Sequence, residues 1–309
     1  MTDVSAVAVS TSWNALRHES GTSMIEEFLA IGIDRLELDV RTTETMIEEI
    51  RPFVEDGRIQ ISSLHNYCPM PAGTDRAKAA SNKIDLASPD SARRLASVAQ
   101  TKNTIKWAAR LGAKVVVVHL GGVEVNLHQR DALKLIAQGK KEEAAEIVFH
   151  DLSTRGYNRM PFVDAAMASL KELVPFAEDS GVSIGLETRY YYSEIPSIDE
   201  FRLFFRNIRS EALGYWHDVG HADTMEALGI ATQEDYLSKY SHKLLGMHIH
   251  DAELGNDHRA IGSGKIDFTR LLPFIKPNTN LVMEIHSPAS AEELVASRNA
   301  VISMLSSGK

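Results

Sequence analysis

The chain has 309 residues, 44% of them hydrophobic and 24% charged, which suits one globular domain long enough to bury a full core. Its 42 acidic and 33 basic residues leave a formal charge of −9, a balance that argues against a nucleic-acid surface, because phosphate contacts draw on Lys and Arg. No run of 18 apolar residues offers a membrane span, and the single cysteine, Cys68, excludes an intrachain disulfide, so a soluble protein in a reducing cytoplasm is expected. The opening MTDVSAVAVSTSW lacks the basic flank and long apolar core of a signal peptide.

In chain order, short apolar runs alternate with helical patterns. AVAVS (6–10) reads as a strand followed by a helix over 21–31, and RLELDV (35–40) precedes a helix over 43–53. IQISSLH (59–65) precedes a helix over 89–111, and KVVVVHL (114–120) one over 161–180. VSIGLE (182–187) leads to 197–207, and LGYWHD (213–218) to 232–241. LLGMHI (244–249) leads to 267–276, and NLVMEI (280–285) to 289–306. Eight strand–helix units in this order imply an α/β fold with a parallel sheet, and eight parallel strands favour closure into a (β/α)8 TIM barrel. A single domain over 1–309 is expected.

Local signals agree with these boundaries. Ser197 with Glu200 three residues on suits a capping box, Ser180-Gly181 suits a helix stop, and Pro161 suits a first helical turn. Two stretches exceed a minimal barrel, namely 66–88 and 121–160, the second containing the helical pattern RDALKLIAQGKKEEAAEIVFHDL. Both follow strand C-termini, where barrels build active sites, so both are expected to act as lids or walls there.

The strand ends share a chemistry. The third to eighth strands finish in His65, His119, Glu187, Asp218 (with His221 three residues later), His248 and Glu284. Residues two apart on a strand share a face. Gly246 and His248 would then face inward, with Leu245, Met247 and Ile249 toward the helices. By the same count Glu284 joins Val282, Glu187 joins Gly185, Asp218 joins Trp216, and His119 joins Val117. Glu37 and Asp39 of the second strand either face inward too or pair with a nearby arginine.

Acids gathered at a barrel mouth need a cation, since an unpaired buried charge costs several kcal/mol. Glu187, Asp218, His248 and Glu284 supply three carboxylates and one imidazole. That oxygen-rich set favours Mn²⁺, Mg²⁺ or Co²⁺, with Zn²⁺ also admissible.

The pieces LETR with Glu187, HDVGHA with Asp218 and His221, MHIHDAELGNDHRAIGSGKIDF with His248 and His258, and VMEIH with Glu284 together resemble the xylose isomerase-like TIM barrels. These are sugar and sugar-phosphate isomerases and epimerases, with endonuclease IV as a relative. The resemblance covers essentially the whole chain. It implies a divalent-metal-dependent isomerase or epimerase that works through a metal-stabilised enediolate, with Glu187 and Glu284 as the acid/base pair. By the endonuclease IV pattern, His65 and His119 are candidates for a second metal beside Glu187, and His221 with His258 for a third. His258 also matches a substrate-binding arginine of some ketose epimerases. One departure weakens the case for the third metal: Asn256 stands where the pattern has Asp, and Asp257 sits one place late.

Arg189 and Arg259 are candidates for binding substrate oxygens or for surface ion pairs. Trp13 and Tyr190 are candidates for stacking on a sugar face or for capping the core. His250 is read as an ordinary hydrogen-bonding residue with ligation as the alternative, Asp251 as capping or bonding the following loop, and Cys68 as an apolar filler rather than a nucleophile. The expected partner is a small carbohydrate. A homo-oligomer is compatible with these features, and neither membrane nor nucleic acid is expected. Two alternatives share the site: an endonuclease IV-like phosphodiesterase, and a dehydratase or lyase on a keto-sugar.

Overall fold

The computed structural model describes residues 7–81 and 85–307. Ala6, the first residue of the expected first strand, and residues 82–84 of the first insertion lie outside them. The barrel strands are β1 (Val7–Ser10), β2 (Arg35–Leu38), β3 (Gln60–His65), β4 (Val115–Val118), β5 (Ser183–Glu187), β6 (Leu213–Asp218), β7 (Leu244–Ile249) and β10 (Asn280–Met283). They close in the order β1-β10-β7-β6-β5-β4-β3-β2, every neighbour parallel. This is a (β/α)8 TIM barrel in a single domain.

The outer layer holds α1 (Gly21–Ala30), α2 (Glu44–Glu55), α3 (Ser91–Arg110), α6 (Met160–Asp179), α7 (Ile198–Asn207), α9 (Gln233–Tyr240) and α10 (Ala291–Ser307). The Ser197–Glu200 capping box forms, Pro161 lies in the first turn of α6, and Gly181 takes the left-handed φ of 67° that ends it. The helical pattern in the second insertion resolves into α4 (Gln129–Ala137) and α5 (Lys141–Asn158), separated at Gly139, whose φ is 78°. No helix among the described residues is long and apolar enough to cross a membrane.

Three features differ from expectation. The helix over 267–276 is replaced by two 3-10 turns, Phe268–Arg270 and Leu272–Phe274. Pro273 removes a backbone donor there and blocks α-helix continuation. A helix not foreseen, α8 (Val219–Ala227), follows β6 directly, with Asp218 as its N-cap. It carries no apolar stripe because it is buried on several sides, so periodicity does not reveal it. The loop after β7 folds into an antiparallel hairpin, β8 (Asp251–Glu253) and β9 (Asn256–Arg259).

Inside the barrel, Ala8, Val115, Val117, Trp216 and Val282 form a cluster of their own, as the alternation predicts. Trp216 fills most of it. A Cβ at Gly246 would collide with the Trp216 ring, so glycine at that position is what admits the indole. Leu245 also packs on this cluster, not on the helices with Met247 and Ile249. The register slips between Tyr215 and Trp216, which pair with Leu244 and Gly246. Leu245 is therefore the unpaired residue of a bulge, and the alternation breaks at it.

Candidate metal centre

Above the Trp216 plug the strands end in polar side chains. Glu187 closes β5, Asp218 closes β6, His248 is the fifth residue of β7, and Glu284 follows β10 directly. All four are buried. His248 Nδ1 lies 2.6 Å from Glu187 Oε1, 3.0 Å from Glu284 Oε2 and 3.6 Å from Asp218 Oδ2. One ligand atom from each of the four falls within 4.8 Å of all the others.

The other face of the imidazole is held separately. His248 Nε2 donates to Glu37 Oε1 at 3.0 Å, and Glu37 Oε2 accepts from Ser63 Oγ at 2.7 Å. Both readings of the second strand are thus realised, each by one residue: Glu37 faces inward, and Asp39 pairs with Arg41 at 2.8 Å. Glu37 fixes the His248 ring so that Nδ1 points at the three carboxylates, the usual arrangement behind a ligating histidine.

The residues fit a divalent cation. Asp218 Oδ1 caps α8 by accepting from the His221 N–H at 2.7 Å, whereas Asp218 Oδ2 is buried without a hydrogen-bond partner. Burial, with Glu187 nearby, pushes the Asp218 carboxyl up to about 7. Burial alone would drive the His248 proton off, yet Glu284, Glu37 and Glu187 hold its pKa well above the ordinary value. Burial would likewise raise Glu187 and Glu284, but the surrounding imidazoles hold both well below the usual carboxylate range. A protonated imidazole among acids occupies the electrostatic place that a metal ion would take.

Three further donor groups border this one. His65, His119 and Glu187 bring ligand atoms within 4.8 Å of one another. His119 Nε2 makes a short contact with Glu187 Oε2, and His65 Nε2 is 3.7 Å from the same oxygen. Their protons differ. Burial works against the His65 proton, but Glu187 and its neighbours raise that pKa to about 9, whereas burial and Arg189 lower His119 to about 4.

His221, Asp257 and His258 form another group, and His250, His258 and Glu284 the last. Asp257 Oδ2 lies 3.7 Å from His221 Nε2 and 3.6 Å from His258 Nε2. The position one place late in the sequence therefore reaches the site after all. Leu254 and His258 have φ of 49° and 54°, so two-residue alternation does not hold along this hairpin.

The remaining candidates divide. Arg189 is buried beside the centre and donates to Glu187 and Glu194, each at 2.9 Å. Tyr190 lines the cavity, its hydroxyl donating to the Gly255 carbonyl at 2.7 Å. Arg259 does not border the cavity; it pairs with Glu253 across the hairpin at 3.6 Å. Trp13 does not border it either, because its ring is buried against Phe28 and its Nε1 donates to the Ala289 carbonyl at 2.8 Å. It caps the core.

His250 lacks the hydrogen bonds expected of it; its buried ring, packed against Gly220, instead brings a ligand atom within 4.8 Å of His258 and Glu284 and puts Nε2 3.5 Å from Asp218 Oδ1. Asp251 does bond the following loop, accepting from the N–H groups of Gly262, Gly264 and Ile266. Cys68 is buried, which pushes its thiol well above the ordinary value and suits a filler. Two cavity residues escaped sequence reasoning. His286 stacks on His258 with ring centroids 3.9 Å apart, and Glu194 receives Arg189. The inward parity of Glu284 extends to His286, so that one was within reach of the same count.

Glu187, Glu284, His65, His119, His221, Asp257 and His258 line one cavity of about 1180 Å³, while Asp218 and His248 are fully buried off it. The sequence profile of the xylose isomerase-like TIM barrel matches residues 25–300. The chain belongs to that family. It is 28% identical over 178 residues to the uncharacterized protein MJ1311 of Methanocaldococcus jannaschii, a match covering 57% of this chain and about half (50%) of that relative.

Among solved structures, a D-tagatose 3-epimerase-like protein superposes with a TM-score of 0.70, 21% identity and 98% of both chains covered. The 3-keto-D-glucoside 4-epimerase YcjR of E. coli gives 0.67 and 16%, covering 97% of this chain and 99% of its own. The IOLI protein with a bound zinc atom gives 0.67 and 15%, covering 98% and 99%. At these identities the likeness is one of fold.

Proposed function

We propose that this protein is a divalent-metal-dependent isomerase or epimerase of a carbohydrate. The convergence of three buried carboxylates on His248 Nδ1 at the strand C-termini carries the reading. Family membership and the sugar epimerases among the structural neighbours support it. Glu187, Asp218, His248 and Glu284 would hold the ion, and their oxygen-rich chemistry favours Mn²⁺, Mg²⁺ or Co²⁺, with Zn²⁺ admissible. Bound there, the cation would supply positive charge for the oxygens of a substrate carbonyl and its neighbouring hydroxyl.

The chain's own groups do the proton work. β5 and β10 are separated by β6 and β7 in the barrel, so Glu187 and Glu284 approach the centre from different sides. Both stay ionised in the metal-free protein, since the imidazoles around them outweigh burial. One takes the proton from the carbon beside the carbonyl. For isomerisation the same carboxylate then returns that proton to the neighbouring carbon; for epimerisation the other must first take a proton from solvent and deliver it to the opposite face. Arg189 fixes Glu187 by donating to its Oε2 at 2.9 Å. His221 Nδ1 donates to the Thr188 carbonyl at 2.8 Å, which leaves Nε2 facing the cavity.

The test is exchange of solvent deuterium into ketoses by the metal-loaded protein. Chelation should abolish exchange and Mn²⁺ restore it. Glu284→Gln should fold as the parent does by circular dichroism and lower turnover at least ~10²-fold. Full exchange after exhaustive chelation would sink the reading. The donor groups beyond the four-residue centre favour a second reading, a phosphodiesterase with up to three metals. Near one metal per chain supports the isomerase, whereas three metals and cleavage of abasic DNA would support the second.

A further inference from the structure

The cavity is much larger than the candidate centre. Its volume of about 1180 Å³ exceeds the roughly 300–1,000 Å³ of sites that enclose drug-sized ligands. Glu187, Glu284 and the imidazoles beside them form its floor, with Asp218 and His248 buried off it. From there the wall continues along both insertions, through Tyr67 and Ser88 of the first and Asn126, Thr154 and Asn158 of the second. A single sugar ring on the floor leaves this outer part unfilled.

The outer wall is built in place. Gln129 Nε2 donates to the Tyr190 carbonyl at 2.8 Å, and the Tyr192 N–H donates to Gln129 Oε1 at 3.0 Å. Arg155 donates to Glu200 at 2.9 and 2.7 Å. The first insertion is joined by the Ala87 N–H, which donates to the Leu120 carbonyl at 2.7 Å. The compartment therefore needs no closure to exist.

Its described polar lining offers amides, hydroxyls and carboxylates. Among the described lining residues, Arg41 and Arg189 are the only guanidinium or ammonium groups. Both are committed, Arg41 to Asp39 and Arg189 to Glu187 and Glu194. The outer wall also carries the carboxylates of Asp85 and Glu124. A phosphate there would face acids with no cation to spare. Amides and hydroxyls beside the Tyr67 and Phe162 rings instead suit the hydroxyls and the apolar face of a sugar.

Resting on the carbohydrate reading, we propose that the substrate is an uncharged two-unit sugar: a keto-sugar carrying a glycosyl substituent. The keto unit sits on the metal floor, and the second unit fills the compartment between the insertions.

The experiment uses the Mn²⁺-loaded protein and solvent-deuterium exchange. Fructose, tagatose, psicose and sorbose are each offered free, as the 6-phosphate and as the 6-O-glucoside. The glucoside of the preferred ketose should exceed the free sugar in kcat/KM at least about tenfold, and the phosphate by more. Thr154→Trp, on an exposed face of α5, should raise KM for that glucoside more than for the free sugar. Exchange favouring free or phosphorylated ketoses overturns the inference and leaves the carbohydrate reading standing. Equal effects of Thr154→Trp on both sugars also overturn it. No exchange into any sugar, with metal bound, removes the carbohydrate reading and this inference together.

Discussion

Glu37 shows what one residue behind a ligand does. It lies out of reach of the three other carboxylates' shared centre yet bonds His248 Nε2 at 3.0 Å and is anchored by Ser63. Removing its charge frees the ring and lowers the basicity of Nδ1. Glu37→Gln should weaken Mn²⁺ affinity about 10–100-fold while leaving the fold intact, measured by competition with a fluorescent chelator. Unchanged affinity would detach Glu37 from the centre. The four converging residues were legible because each lies within the last two residues of a strand or directly follows one, and period-two alternation fixes their side. Trp13 and Arg259 were not legible in the same way. Their surroundings come from distant segments, Phe28 and Ala289 for one and the hairpin partner Glu253 for the other. Asp257, one place off the resemblance's pattern, was not legible as a neighbour of His221 and His258, because left-handed Leu254 and His258 bend the hairpin out of regular alternation.

At the scale of elements, the second insertion is fastened to the β5–α7 connection. Asp151 of α5 is buried and accepts from the Tyr192 hydroxyl at 2.6 Å and the His128 N–H at 2.8 Å. Asp151→Ala leaves both donors without their partner, at a cost of about 1–3 kcal/mol each where they remain buried. That cost falls on α4 and α5 more than on the barrel. Proteolysis within 121–160 should become faster while the main unfolding transition shifts little; equal resistance would show that Arg155 and Gln129 suffice. The helical pattern of this insertion was readable from its polar and apolar spacing. The 3-10 turns over 268–274 and the helix α8 were not: one turns on Pro273, and the other is buried too evenly to show a stripe.

For the molecule as a whole, eight alternating units sufficed to predict closure, and closure is what brings distant strand ends together. It also buries titratable groups. His217 of β6 donates to Gln233 Oε1 at 2.7 Å through Nε2, and its Nδ1 shares a 2.6 Å hydrogen bond with the Tyr215 hydroxyl. Burial disfavours the charged ring and lowers its pKa to about 4. The unfolded chain keeps the ordinary value near 6.5. Between those values the unfolded state binds more protons, so stability is lost as pH falls through that window, by up to ~1.4 kcal/mol per pH unit from this residue. Urea titrations of the metal-free protein at pH 7 and pH 5 should show that decline. His217→Gln should start less stable and decline less steeply; parallel curves would place the acid sensitivity elsewhere.

Trp216, wedged between Gly185 and Gly246 with valines around it, stoppers the cylinder beneath the acids. Molecules can therefore come and go through one doorway only, and a departing product stands in the path of whatever arrives next.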